Sequence, residues 1–330
     1  FVFFKVFKVI IMLEIETLSL CACLFGVVGF LGIWTLLLPG IVHCFLKPQD
    51  LKKKYGAEWA IVTGGSSGIG KSIVERLCQQ GINVIIVAVP EKILDATTEE
   101  MTNRFPEVKV VKVGVDLSKR GFMEAVNKET QGKDVQLLFC NAGFMITGFF
   151  ADTHISKSKA NSSVNVDSHL ELTHEYVNRM LSSKKKGAVF FTSSPAWMLP
   201  SPTAAMYAGT KAFITHFGVS LAAELKSEGI DVCVVHPSPV QSNFYNEAGD
   251  GAEVNFFKST AKGPEVLVGT MFACIGRLVL CNQGYFPKVM GFLHKILDFT
   301  ALVEITANVA HSSATFISVK KAAQEAKKKK

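Results

Sequence analysis

The stretch that most limits the fold runs from Trp59 to Gly70: Trp-Ala-Ile-Val-Thr, then Gly-Gly-Ser-Ser-Gly-Ile-Gly. An unbroken apolar run before Thr63 fits a strand covered on both faces, as in the middle of a parallel sheet. Glycines at 64, 68 and 70 then allow the backbone to turn tightly into a helix. A chain built on this strand–turn–helix unit, with more units like it, alternates β and α elements.

Such units follow. Strands are expected at 83–89, 109–115, 135–140, 188–192 and 231–236, and helical periodicity fills 71–80, 92–105, 118–131, 162–181 and 204–228. The alternation predicts an α/β fold, a doubly wound, Rossmann-like parallel sheet forming a single domain over 57–287, with ligands at the carboxyl ends of the strands. Residues 238–258, rich in Pro, Ser, Asn and Gly, read as a loop over the site. Residues 264–280 read as a helix and 282–286 as an edge strand.

Two spacings carry chemistry. The glycine turn brings backbone amides and a helix N-terminus together, an arrangement suited to a pyrophosphate. Tyr207 and Lys211 stand four residues apart, so they share a helix face. A free phenol titrates near ~10 and is a poor proton donor at neutrality. A cation within a few ångströms moves it toward the operating pH, as a general acid or base requires.

With these residues in view, the chain resembles the short-chain dehydrogenase/reductase family over roughly 57–245. Thr63-Gly64-x-x-x-Gly68-x-Gly70, Asp116, Asn141-Ala142-Gly143, Asn165 in Ser-Val-Asn-Val, Ser193-Ser194 and Tyr207-x-x-x-Lys211 occur in that family's order. The resemblance implies that Thr63, Gly64, Ser66, Ser67, Gly68, Ile69 and Gly70 cradle a nicotinamide dinucleotide and that Asp116 meets its adenine. It implies that Asn141, Ala142 and Gly143 steady the sheet beside the cofactor, and that Asn165 holds a water in a proton relay. Ser194, 13 residues before Tyr207, is chosen over Ser193 to bind the reacting carbonyl oxygen. Tyr207 is the proton donor, and Lys211 also holds the nicotinamide ribose. Pro237, Val240 and Ser242 lie beside the nicotinamide, Ser242 in place of the family's threonine.

The chain departs from that pattern in places. Val89 stands where the family carries an acid for NAD or an arginine for NADP, and Ser67 is not basic. The missing acid favours NADP(H) over NAD(H), with Lys71 or Lys92 as the phosphate partner. His236-Pro-Ser-Pro-Val240 replaces the usual Pro-Gly.

The ends add a location. Residues 17–46 contain no Asp, Glu, Lys or Arg, and 18–38 are mostly Leu, Val, Gly, Phe and Ile. A helix of about 20 apolar residues matches the hydrocarbon layer, so 18–46 are expected to be a transmembrane anchor and 47–56 a linker. Lysines at 47 and 52–54 follow it, placing the catalytic domain in the cytosol. Residues 1–17 are a short extension preceding the anchor. Residues 288–319 are apolar, read as a helix completing the core, with an amphipathic segment resting on the membrane as the alternative. In 320–330 six lysines against one glutamate carry most of the net charge of +7. A basic groove spread over the fold is therefore not expected, which argues against nucleic acid. The tail is expected to stay solvated or to touch anionic lipid, and its lysines resemble a dilysine signal for the endoplasmic reticulum. The scattered cysteines and histidines lack metal-ligand spacing, so no metal is expected.

The reading at this stage is a membrane-anchored reductase of a lipid-like ketone, with a homodimer open. By resemblance the substrate is a 3-oxoacyl-CoA, a ketosteroid or 3-ketosphinganine. The alternative is a non-catalytic cofactor-binding or scaffold protein of the same fold.

Overall fold

The computed structural model describes residues 2–242, 244 and 252–328. It divides into two units, 1–46 and 47–330. In the first, helix α1 (Val2–Phe45) contains Ala22–Val42, a stretch of 21 residues with mean hydropathy 2.1 and none of it buried. By length and composition it can cross a membrane, and it begins a few residues later than the 18–38 core read from sequence.

The second unit is a seven-stranded sheet. Its strands are β1 (Trp59–Thr63), β2 (Asn83–Ala88), β3 (Val110–Gly114), β4 (Val135–Cys140), β5 (Gly187–Thr192), β6 (Ile230–His236) and β7 (Leu280–Asn282). All pair in parallel, in the order β3-β2-β1-β4-β5-β6-β7. β1, β4 and β5 are buried at every position, as their apolar runs require. The chain runs outward from β1 to β2 and then returns to the other side of β1 as β4. That reversal opens a crevice at the carboxyl ends of β1 and β4.

Helices α3 (Gly68–Gln79), α4 (Lys92–Arg104), α5 (Phe122–Thr130), α6 (Ile155–Ser162), α7 (Ser168–Ser182) and α8 (Ala205–Leu225) connect these strands. α3 buries Ile73, Val74, Leu77 and Cys78 along one face. Later come α9 (Ala252–Thr260), α10 (Pro264–Cys274), α11 (Tyr285–Ile296), α12 (Phe299–Val309) and α13 (Ala314–Lys328). The Phe139 and Phe190 rings stack at 4.2 Å, and Phe272 of α10 lies 6.0 Å from Phe139.

Several readings change. Residues 47–56 are packed rather than a free linker. Helix α2 (Leu51–Tyr55) is capped by Asp50, Leu51 is fully buried, and the Gln49 amide donates to the carbonyls of Phe272, Ala273 and Ile275. The long helix read over 162–181 is instead α6 and α7 joined by a π-helical turn, Ser163–Asp167. Part of the loop read over 238–258 is helix α9; residues 243 and 245–251 lie outside the described residues. The segment 288–319 contributes little to the core: α11 buries Gly291 within it, and α12 has no buried residue. The tail through Lys328 is helical, and Lys327 pairs with Asp152 at 2.7 Å instead of standing free in solvent.

Candidate active site

The turn after β1 is fixed by its own chemistry. The Thr63 hydroxyl is fully buried, accepts from the Asn141 and Ala142 amides at 2.9 Å each, and donates to Phe139 O at 3.2 Å. The Asn141 side chain donates to Thr63 O at 3.1 Å and accepts from the Thr192 hydroxyl at 3.1 Å. Three strands are thereby clamped at their carboxyl ends. Gly64 has φ +64°, and a Cβ there would lie 3.0 Å from the Ala142 Cα; one at Gly70 would lie 2.0 Å from Gly64 O. Thr63 and Gly70 therefore shape the turn from behind. Gly64, Ser66, Ser67, Gly68 and Ile69 line the cavity in front of it, with Asn141, Ala142, Gly143, Pro237, Val240 and Ser242.

Asp116 also lines this cavity, and its Oδ1 accepts from the Ser118 amide and hydroxyl at 2.9 and 2.7 Å. Those two donors, the hydroxyl first, hold its pKa below the usual carboxylate range.

Tyr207, Lys211 and Ser194 meet at the cavity wall. Tyr207 is 6% exposed, and Lys211 Nζ lies 5.7 Å from the centre of its ring. The Lys211 ammonium donates to Thr192 O at 2.8 Å, and burial pushes its pKa down to about 8. Ser194 begins the short turn Pro195–Trp197, where its oxygen accepts from the Ala196 amide at 3.2 Å. That arrangement leaves the hydroxyl proton to donate. Ser193 faces another duty: its hydroxyl donates to Lys211 O at 3.0 Å and meets the Thr215 hydroxyl at 2.7 Å.

Asn165 sits inside the π-helical turn, fully buried behind this group. Its amide donates to Phe144 O at 3.2 Å and Thr210 Oγ1 at 3.0 Å, and its oxygen accepts from the Phe144 amide at 3.1 Å. It braces the turn after β4 against α8. A Cβ at Gly143 would stand 3.0 Å from Asn165 Oδ1 and 3.5 Å from Lys211 Nζ, so glycine keeps that space open.

Of the expected phosphate partners, Lys71 is bound to Glu100 at 2.6 Å and lies off the cavity, while Lys92 begins α4 in solvent. Val89 and Glu91 line the cavity at the end of β2. Sequence reasoning missed Phe244, whose ring lies 5.9 Å from Tyr207, inside a stretch read only as loop. It also missed a buried chain of contacts from Ser193 through Thr215 to His236 (3.2 Å) and Asn282 (2.7 Å). His236 was visible only as a departure from Pro-Gly.

The family model described as short chain dehydrogenase matches residues 58–253. The chain belongs to the short-chain dehydrogenases. This short-chain dehydrogenase is 31% identical over 198 residues to a very-long-chain 3-oxoacyl-CoA reductase of Podospora anserina, covering 58% of each chain. It is 28% identical to a very-long-chain 3-oxoacyl-CoA reductase-like protein of Arabidopsis thaliana, over 81% of this chain and 86% of that one. A 7beta-hydroxysteroid dehydrogenase of Collinsella aerofaciens is 30% identical over 69% of this chain and 86% of its own length. Among solved structures, one of a 7beta-hydroxysteroid dehydrogenase superposes with TM-score 0.70 at 26% identity, over 78% of this chain and all of that one. A Sphingobium yanoikuyae short-chain dehydrogenase in complex with NADPH gives 0.59 at 25%, over 64% of this chain and 81% of that one.

The residues present fit a nicotinamide dinucleotide. Glycines leave the turn bare where side chains would fill it, and a buried ammonium stands at the cavity wall with one proton on Thr192 O. An ammonium carries three donors, so the others suit the hydroxyls of a ribose.

Proposed function

We propose that this short-chain dehydrogenase reduces a ketone on a lipid-like substrate. The observation that carries the reading is the convergence of Ser194, Tyr207 and Lys211, braced by Asn165, on one cavity that runs from the glycine turn. The relatives named for 3-oxoacyl-CoA and for hydroxysteroids both support a substrate with a large apolar part.

A bound nicotinamide cofactor supplies the hydride. The Ser194 hydroxyl keeps its proton and hydrogen-bonds the carbonyl oxygen, where negative charge grows as the ketone is reduced. Tyr207 gives the proton to that oxygen, and the Lys211 ammonium stabilises the phenolate left behind. Lys211 also orients the ribose. The Asn165 side chain is fully committed to Phe144 and Thr210, so a relay water is held through its backbone, which the π-turn frees from regular pairing.

For the cofactor we propose NADP(H). The neutral Val89 and the NADPH-bound neighbour support it, and Lys92 is the remaining cation for a 2′-phosphate. The apolar stretch Ala22–Val42 supports a membrane anchor, and the lysines after it support a cytosolic catalytic unit, at the endoplasmic reticulum.

Purified full-length protein with NADPH or NADH, offered a 3-oxoacyl-CoA, a ketosteroid and 3-ketosphinganine, tests this reading beside Tyr207→Phe. Reduction of at least one ketone, abolished in Tyr207→Phe, is expected. No cofactor oxidation with any of them, or an unaffected Tyr207→Phe, would overturn it.

A further inference from the structure

The cavity does not end at the reacting groups. Its volume is about 1910 Å³, beyond the roughly 300–1,000 Å³ that one ligand pocket takes. The dinucleotide end is accounted for by the glycine turn and Asp116. The remaining wall is shared by the segment after β4, by residues 199–204, by Phe257 of α9, by Phe286 and Met290 of α11, and by α12 and α13, the last two helices lying past the residues 58–253 matched by the family model.

We infer that α12 and α13 form an arm that receives one long, unbranched aliphatic tail, which makes the substrate a ketone carried on an acyl-like chain rather than on a fused-ring skeleton. This rests on the reductase reading above. Thr306 of α12, Ala310 in the turn just after it, and Phe316, Val319 and Ala323 of α13 face the cavity. None is charged, and Lys327 at the rim is already paired with Asp152 at 2.7 Å. The hydroxyls of Ser313, Thr315 and Ser318 are interspersed among them, so the two helices offer a headgroup no charge beyond the paired Lys327 and give methylenes dispersion contact along their length.

Two contacts hold the wall against the segment following β4. Phe316 meets Phe149 edge-on, with ring centres 4.8 Å apart, and Lys327 meets Asp152. Both are weak fixings. The Lys327 side chain is 69% exposed, and α12 buries nothing in the core, so exposed ion pairing adds little to hold it. A wall fixed this way can shift along its length as a flexible tail threads in. A rigid ring system, needing a set shape on all sides at once, is poorly served by it.

The arm predicts a length dependence. Each methylene that leaves water for the arm raises affinity about fourfold, until the arm is full.

Full-length protein in detergent should therefore reduce a series of 3-oxoacyl thioesters with kcat/KM rising with chain length to a plateau. Ala323→Trp should lower the ratio of long-chain to short-chain kcat/KM by about four- to sixteenfold, the value of one or two lost methylene contacts. The dissociation constant of the reduced cofactor, read by its fluorescence, should not move. Lys327→Gln, at an exposed rim where misfolding is no concern, should leave the length series nearly unchanged, because that exposed ion pair holds little. Binding is read apart from turnover with a fluorescent long-chain fatty acid, displaced by a long-chain alcohol and not by a sterol, and weakened in Ala323→Trp. A flat length series, or equal losses for short and long substrates, overturns the arm. Displacement by a sterol as readily as by the alcohol overturns the choice of tail. If no ketone is reduced while the fatty acid binds as described, the reductase reading falls and the arm stands.

Discussion

The ammonium of Lys211 donates to the backbone carbonyl of Thr192, 19 residues earlier in the chain, at 2.8 Å inside the core. A helix cation is thus seated on the end of a strand, one residue before the serines that follow it. Burial is what holds its pKa to about 8, against 10.5 for a free lysine.

That depression has opposite effects on binding and folding. As pH rises through about 8 the folded protein loses the Lys211 proton while the unfolded chain keeps it until about 10.5. Folding stability from this group therefore increases over that window, because the unfolded state binds more protons. Cofactor affinity is expected to move the other way, since the charge proposed to hold the ribose is lost. Fluorescence titration of the reduced cofactor on both sides of pH 8, beside thermal melts, is expected to give the two opposing trends. Lys211→Met should melt no lower than wild type and bind cofactor at least about tenfold more weakly, the loss of roughly one charge-assisted hydrogen bond.

The neighbouring serines separate by experiment. Ser193→Ala removes a buried donor to Lys211 O and a partner of Thr215, and should cost about 1–3 kcal/mol in denaturant unfolding. Ser194→Ala should leave stability nearly unaltered and lower kcat by about 10²-fold, the value of one donor to a developing oxyanion.

Tyr207→Phe keeps the ring and removes only the hydroxyl, and with it the proton. A kcat loss of about 10²–10⁴-fold is expected, with the cofactor dissociation constant within experimental error of wild type.

His236 is buried against Trp197, with ring centres 5.5 Å apart, and is bonded to Asn282 and Thr215. Burial, first among the causes, lowers its pKa to about 4 from 6.5. Between those values the unfolded chain is protonated and the folded one is not, so stability present above pH 6.5 is lost as pH falls toward 4. Acid unfolding should steepen in that window by an amount on the order of 3 kcal/mol from this residue. In His236→Gln that share of the slope should disappear.

Val89→Asp, at the cavity wall beside β2, should shift cofactor preference toward NADH, measured as the ratio of the two dissociation constants. No shift would place the 2′ position elsewhere.

The strands were legible because burial on both faces leaves continuous apolar runs: Trp59–Thr63 and Val135–Cys140 were read to the residue. The edge strand was not. It ends at Asn282 because Gly284, at φ +82°, and Pro287 start a new helix where the pattern read 282–286. The π-turn at Asn165 left no trace in periodicity, since one extra residue per turn hardly disturbs an apolar face. The wall over the cavity was least legible. Residues 288–319 read as apolar, and apolar helices look alike whether they fill a core, touch lipid or line a pocket. Lys327 read as part of a charged tail because its partner, Asp152, is brought to it only by the fold.

The cavity is assembled from opposite ends of the synthesis schedule. The glycine turn and β1 leave the ribosome early, and the sheet through β6 can form before Ala314–Lys328 has been made. During that interval the nascent chain holds a dinucleotide cradle and Tyr207 with one side of the cavity open to solvent. Arrest or proteolysis before α13 would leave a product that meets cofactor normally and has lost its preference among ketones.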